Sequence, residues 1–222
     1  MKKSLLLMLV MTQMSWAQLS RDLGDFDEVK VFDRISVELI PSTQNKITIS
    51  GDRSEDVEII NNNGELKIRM RLEKLLKGEE VTAKLYFKFI ESIDANEGSY
   101  VSCDAVFKQT EIELTAREGS EIRVKLDVQK VETKAVTGGK LKITGSALNQ
   151  EASVAMGGIL DAQQLQTSQT SITVKAGGQA EVRASELVSA KVRAGGDITV
   201  FGSPAKVSRD IKLGGSITDS PR

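Results

Sequence analysis

From Val29 onward the chain alternates apolar and polar residues in short runs. Ile35-Val37-Leu39, Leu66-Ile68-Met70 and Val81-Ala83-Leu85-Phe87-Phe89 are examples. A repeat of two is the signature of a half-buried β-strand. Beyond residue 90 the alternation falls into register with itself. Val101, Ile122, Leu141, Leu160, Ala180, Ile198 and Ile217 form one column, each three residues after a glycine. Cys103, Val124, Ile143, Ala162, Val182 and Val200 form a second, and Asp219 breaks it at the last place. Ala95, Ala116, Ala135, Val154, Val174, Val192 and Ile211 form a third, three residues before the glycine.

The glycines that anchor this alignment are Gly98, Gly119, Gly138, Gly157, Gly177, Gly195 and Gly214, spaced 18 to 21 residues apart. From the third onward each is doubled, as Gly138-Gly139, Gly157-Gly158, Gly177-Gly178, Gly195-Gly196 and Gly214-Gly215; Ser99 and Ser120 fill the second place in the first two. A fixed period near 20 residues marks a solenoid. The pattern predicts an all-β chain, a right-handed parallel β-helix of about seven coils over residues 90–219. In each coil two strands meet at the glycine corner, where glycine supplies a positive φ without a Cβ clash. A third strand is expected about ten residues on, at Leu148, Thr167, Leu187 and Ala205. Each inward Val, Ile or Leu contributes about 1.5–3 kcal/mol of burial.

The first half of the chain is strand-rich but lacks the glycine period. Residues 1–17 read as a signal peptide: Lys2 and Lys3, an apolar run from Leu5 to Met11, then Ser15-Trp16-Ala17. Residues 18–28 form a polar lead-in, and residues 29–89 a β region that caps the open bottom of the solenoid. Asn63-Gly64 between two alternating runs predicts a hairpin. Glu73 to Glu80 carries mixed charges around Leu75-Leu76 and reads as a loop or one helical turn.

Charge and composition narrow the chemistry. Without Lys2 and Lys3 the chain from Gln18 carries 28 Lys and Arg against 31 Asp and Glu, a formal charge of −3. That balance argues against nucleic acid as a partner. The absence of histidine removes His-based triads and the commonest metal ligand. Cys103 stands alone in an inward column, so it reads as a small buried apolar residue and can form neither an intramolecular disulfide nor a zinc site. The Gly-Gly pairs fit no phosphate-binding loop and no calcium-binding β-roll repeat. No metal and no cofactor is expected.

Two outward columns remain as candidate ligand-facing surfaces. Asp161 and Glu181 fall on adjacent coils about 5 Å apart, near the carboxylate separation of retaining glycosidases. Lys142 before them and Thr199 after them make ordinary surface decoration the stronger reading. Lys175, Arg193 and Lys212, two residues before their glycines, form a basic stripe suited to an anionic glycan or headgroup. A charged face that blocks edge-to-edge aggregation explains the same residues.

Several segments together resemble a known family. They are Phe32-Asp33-Arg34-Ile35-Ser36-Val37, Ile47-Thr48-Ile49-Ser50-Gly51-Asp52, Asn63-Gly64-Glu65-Leu66-Lys67-Ile68, the glycine coils, and Gly202-Ser203-Pro204 at their end. The set resembles the head GIN domain family of auto-transporter adhesins of the bacterial envelope, over residues 29–217. The chain departs from the family pattern at Glu97-Gly98-Ser99, where Gly-Ser-Gly is usual, and lacks a proline near Ile90-Glu91-Ser92. The resemblance implies a β-helical fold, export, and adhesion without catalytic residues. The expected function is therefore a non-enzymatic, exported envelope-binding module that presents flat faces to a polymer, glycan or protein, with no membrane span once the signal peptide is removed. Periplasm, outer surface and medium all fit. The alternatives are a self-associating structural component and, less in keeping with the residues, a polysaccharide-active enzyme.

Overall fold

The alternation folds into one continuous sheet that winds on itself. A computed structural model of the protein describes residues 19–220. The first half contributes β1 (Leu19–Asp22), β2 (Glu28–Val31), β3 (Ser36–Pro41), β4 (Lys46–Ser50), β5 (Val57–Asn62), β6 (Glu65–Met70), β7 (Thr82–Phe87) and β8 (Ser92–Ala95). The coils contribute β9 (Tyr100–Arg117), β10 (Glu121–Val136), β11 (Lys140–Ala155), β12 (Ile159–Lys175), β13 (Gln179–Arg183), β14 (Leu187–Arg193), β15 (Asp197–Phe201), β16 (Lys206–Lys212) and β17 (Ser216–Ser220). The signal peptide expected at residues 1–17 lies outside the described residues.

The coils form a β-solenoid of about seven turns. Strands β9 to β17 stack parallel and in register, so that Ile122, Leu141, Leu160, Ala180, Ile198 and Ile217 are successive partners. All three inward columns are buried as far as Val200. Cys103 sits among them, and burial pushes its thiol up to about 11. The third strand departs from expectation. Thr167 is buried, but Leu148 and Ala205 are exposed and Leu187 is only partly covered. The inward residues there are Phe107, Leu126, Val128, Ala147 and Leu165. The register shift between Lys142 and Thr144 adds one residue to β12 and changes which residue of each pair points inward, whereas that between Arg123 and Lys125 adds two to β9 and keeps the alternation.

The two glycines of each corner do different work. Thr137 and Gly138 have φ of 50° and 75°, and the Gly139 N–H donates to the Val136 carbonyl at 2.9 Å. Two successive positive φ values match a type I′ turn, so the first glycine serves conformation. The second is outside the left-handed region at Gly139, Gly158 and Gly178, whereas Gly196 and Gly215 have φ of 116° and 101°. A Cβ on Gly139 would lie 2.1 Å from the Ala116 carbonyl oxygen, so this glycine lets one coil close on the one below. In the first two coils Ser99 and Ser120 take that place. Their buried hydroxyls donate to the Val31 and Ala95 carbonyls at 3.1 and 2.7 Å.

The stack begins earlier than the glycines do. Strands β2 and β3 lie parallel to β8 and the start of β9. Their corner is Asp33-Arg34, with φ of 60° and 63°, and the Arg34 N–H donates to the Glu97 carbonyl at 3.0 Å. Below them β6 pairs in parallel with β2, and β7 with β3. Antiparallel β5, β4 and β1 then cover the lower edges, with Asn63-Gly64 as the hairpin between β5 and β6. The corner of this lowest rung is a longer connection, residues 71–81.

At the opposite end Arg209 follows Ala190 in an inward column, and Asp219 follows Val200. These two side chains pair through both carboxylate oxygens at 2.7 and 2.5 Å, putting an ion pair over the end of the apolar axis.

Candidate binding surfaces

Parallel, in-register strands repeat every outward side chain at the rung spacing of about 4.8 Å. The solenoid faces are therefore ladders. Asp161 and Glu181 are direct partners on β12 and β13, followed by Thr199 on β15. A trough of about 480 Å³ crosses these rungs, lined by Ile159, Asp161, Gln179, Glu181, Asp197 and Thr199. Asp161 is ion-paired with Lys142 at 3.3 Å. Both carboxylates project from the same side of neighbouring strands. Glycoside hydrolysis needs two carboxyl groups that flank the scissile bond, whereas Asp161 and Glu181 stand side by side on adjacent strands.

The basic stripe also aligns: Lys175, Arg193 and Lys212 are partners on β12, β14 and β16. Its middle member is engaged. The Arg193 guanidinium donates to the Val192 and Asp210 carbonyls at 3.0 Å each and pairs with the Asp210 carboxylate. That bond holds the Asp210 carboxyl below its ordinary range. Arg193 thus ties two rungs together, and Lys175 and Lys212 carry the exposed charge.

A third ladder was not singled out in the sequence. Glu113, Glu132 and Glu151 stack on β9, β10 and β11, and Ser171, Ser189 and Ser208 continue the column. Lys130 beside it contacts Glu111 at 3.0 Å, Glu151 at 3.9 Å, and Glu132. The hydrogen bonds to Glu132 first and then Glu111 hold the ammonium above its ordinary range. A trough of about 290 Å³ runs across the rungs here as well.

The lowest corner carries a different surface. Leu72, Leu75 and Leu76 are exposed by 73%, 46% and 45%. Leu75 and Leu76 border a cavity of about 530 Å³ shared with Asp33, Arg34, Glu97 and Glu118. Burial, and then the neighbouring Asp33, raise the Glu97 carboxyl above its ordinary range. The signal in the sequence was three leucines within five residues that broke the alternation, in a segment assigned only to a loop or helical turn.

Comparison with known proteins fixes the family. Residues 25–204 match the family described as "Putative auto-transporter adhesin, head GIN domain". The chain belongs to this family. The head GIN fold recurs in solved structures. A protein of Bacteroides fragilis described as an adhesin shares 16% identity, with 94% of this chain and 98% of that one covered and a TM-score of 0.83. An adhesin of Parabacteroides merdae shares 16%, with 94% and 97% covered and a TM-score of 0.69. A protein of Parabacteroides distasonis described as lipid-binding shares 16%, with 92% and 97% covered and a TM-score of 0.65. At such identities the likeness is one of fold. Among curated proteins none matches. The head GIN family and these neighbours carry adhesin or binding descriptions, none enzymatic. An adhesin family accords with an exported or surface protein. Among the described residues no helix is long and apolar enough to cross a membrane.

Proposed function

We propose that this head GIN protein is a non-enzymatic adhesion module of the cell envelope, which grips a polymer, glycan or protein along its solenoid faces. The reading rests on one observation: the troughs of 480 and 290 Å³ run across successive rungs and are lined by outward side chains at the rung spacing. A surface with a fixed rung spacing suits a partner that also repeats, because each added unit meets the next rung and contributes again. The short glycine corners beside these troughs supply no long loops to wall a substrate cleft. The neighbour described as lipid-binding leaves room for an envelope lipid as the partner.

The test is binding of the chain from Gln18 to a glycan array and to envelope fractions of the native host. Saturable capture that weakens when Asp161 and Glu181 are both changed to Lys supports the reading. Turnover of an acidic polysaccharide, lost on Asp161→Asn or Glu181→Gln, contradicts it.

A further inference from the structure

We propose that the corner loop 71–77 seats the protein on an anionic lipid surface, with Leu72, Leu75 and Leu76 entering the interface and Arg71, Lys74 and Lys77 meeting the headgroups. The proposal deepens the adhesion reading, on which it rests, by naming a partner and a site.

The loop departs from its surroundings in two respects. Met70 and Val81, which bracket it, are fully buried, whereas its three leucines face water. The stacked glycine corners above it are short turns built on two or three successive positive-φ residues. The loop is nonetheless held in place. The buried Asp33 carboxylate accepts the Met70 N–H at 3.0 Å through one oxygen and the Leu76 N–H at 2.7 Å through the other. The Gly78 N–H donates to the Asp33 carbonyl at 3.0 Å, and the Arg53 guanidinium donates to the Lys77 carbonyl at 3.4 Å. A Cβ on Gly78 would lie 2.5 Å from that Asp33 oxygen. Leu76 itself is held at φ 59°, a region that suits Gly or Asn and strains leucine. A buried carboxylate thus pins both ends of a segment that is strained and apolar at its outer surface. Strain and exposed apolar area cost stability, and a fold that keeps both at one corner points to use of that corner.

The charges select the partner. Arg71, Lys74 and Lys77 alternate with the leucines, with Glu73 among them, and Glu79 and Glu80 stand apart from them beyond the buried Gly78. Apolar side chains interleaved with cations match the boundary between acyl chains and anionic headgroups. The leucine spacing would suit a helical face, but helical geometry covers only Leu72–Lys74 and Leu75, at φ −50° and ψ 142°, leaves it, so no continuous stripe exists for a protein groove. Glu97 and Glu118 share the cavity beside Leu75 and Leu76.

The test is co-sedimentation of the chain from Gln18, which keeps every described residue, with phosphatidylcholine vesicles with and without phosphatidylglycerol. The expected result is binding to the phosphatidylglycerol vesicles that salt weakens. The triple variant Leu72→Ser, Leu75→Ser, Leu76→Asn should lose at least about tenfold in partitioning. Leu76→Asn alone should hold or raise thermal stability, which separates loss of a site from loss of the fold. The triple Arg71→Gln, Lys74→Gln, Lys77→Gln should remove the salt-dependent part. Absence of vesicle binding, or binding undiminished in the leucine variant, overturns the proposal. If glycan or envelope capture persists in that case, the adhesion reading stands without it.

Discussion

Gly157 and Gly158 are adjacent, and alanine at each should fail for a different reason and by a different amount. Gly157 has φ 71°, and a Cβ there would meet nothing within 4 Å. Alanine in this conformation carries about 1–2 kcal/mol of strain, and a stiffer unfolded chain offsets about 0.4–1 kcal/mol of it. The expected net loss for Gly157→Ala is about 1 kcal/mol. Gly158 is buried, and a Cβ there would stand 2.2 Å from the Ala135 carbonyl oxygen and 2.6 Å from its carbon. Ordinary contact begins at 3.4 Å, so the two rungs must separate by more than an ångström. The Ile159 N–H to Gly139 carbonyl bond of 2.9 Å lies beside that point and would stretch with them. Forced overpacking of backbone against backbone places Gly158→Ala at about 3 kcal/mol or more. Urea titration followed by far-UV circular dichroism measures both midpoints, with the slope as a check on two-state behaviour. Equal losses, or a larger loss at Gly157, would show that the doubled glycines do not split conformation and close approach between them.

The inward columns predict that Val192→Asp loses more than about 3 kcal/mol, because it buries an unpaired charge; Lys191→Asp next to it, exposed, should change stability by about 0.5 kcal/mol or less in the same titration. The ion pair over the C-terminal end predicts that Arg209→Leu with Asp219→Val associates at lower concentration than the parent in sedimentation velocity, since it extends the apolar axis to a bare strand edge; a variant that stays as dispersed as the parent would contradict the capping role. A thiol pushed up to about 11 is protonated at neutral pH, so Cys103 should react with iodoacetamide far more slowly in the folded protein than in urea, and should gain rate as pH rises toward 11. Thr137→Asn, at φ 50°, should raise the urea midpoint by about 0.5–1 kcal/mol in stability, because asparagine tolerates this conformation better.

The coils were legible in the sequence because a solenoid writes its geometry as columns. Burial through Val200 follows the alignment on the glycines, and the Asp219 break marks the last rung. The third strand was misread at Leu148 because the one-residue register shift beside Lys142 sets Ala147, not Leu148, opposite the inward Thr167, and no residue type announces such a shift. The rung at β2 and β3 went unseen for a related reason. Its corner is Asp33-Arg34, two residues that carry none of the glycine signal, although Asp33 sits at the same positive φ as Glu97 and Glu118 above it. The candidate surfaces were half legible. The sequence placed Lys175, Arg193 and Lys212 in one column, but their charge depends on Asp210, which lies outside that column and engages Arg193. The Glu113–Ser208 ladder depends on long-range register, and the pinned leucine loop depends on a bond between residues 43 apart.

The stacked, in-register ladder carries the whole account, and one distance tests it. Glu113 and Ser208 are far apart in sequence but share one outward column, five rungs apart, through Glu132, Glu151, Ser171 and Ser189. Spin labels at these two positions, with Cys103 replaced by Ala, should give a single narrow separation near 24 Å, five spacings of about 4.8 Å. A broad distribution, or a mean well beyond that value, would contradict the stack and every surface drawn on it.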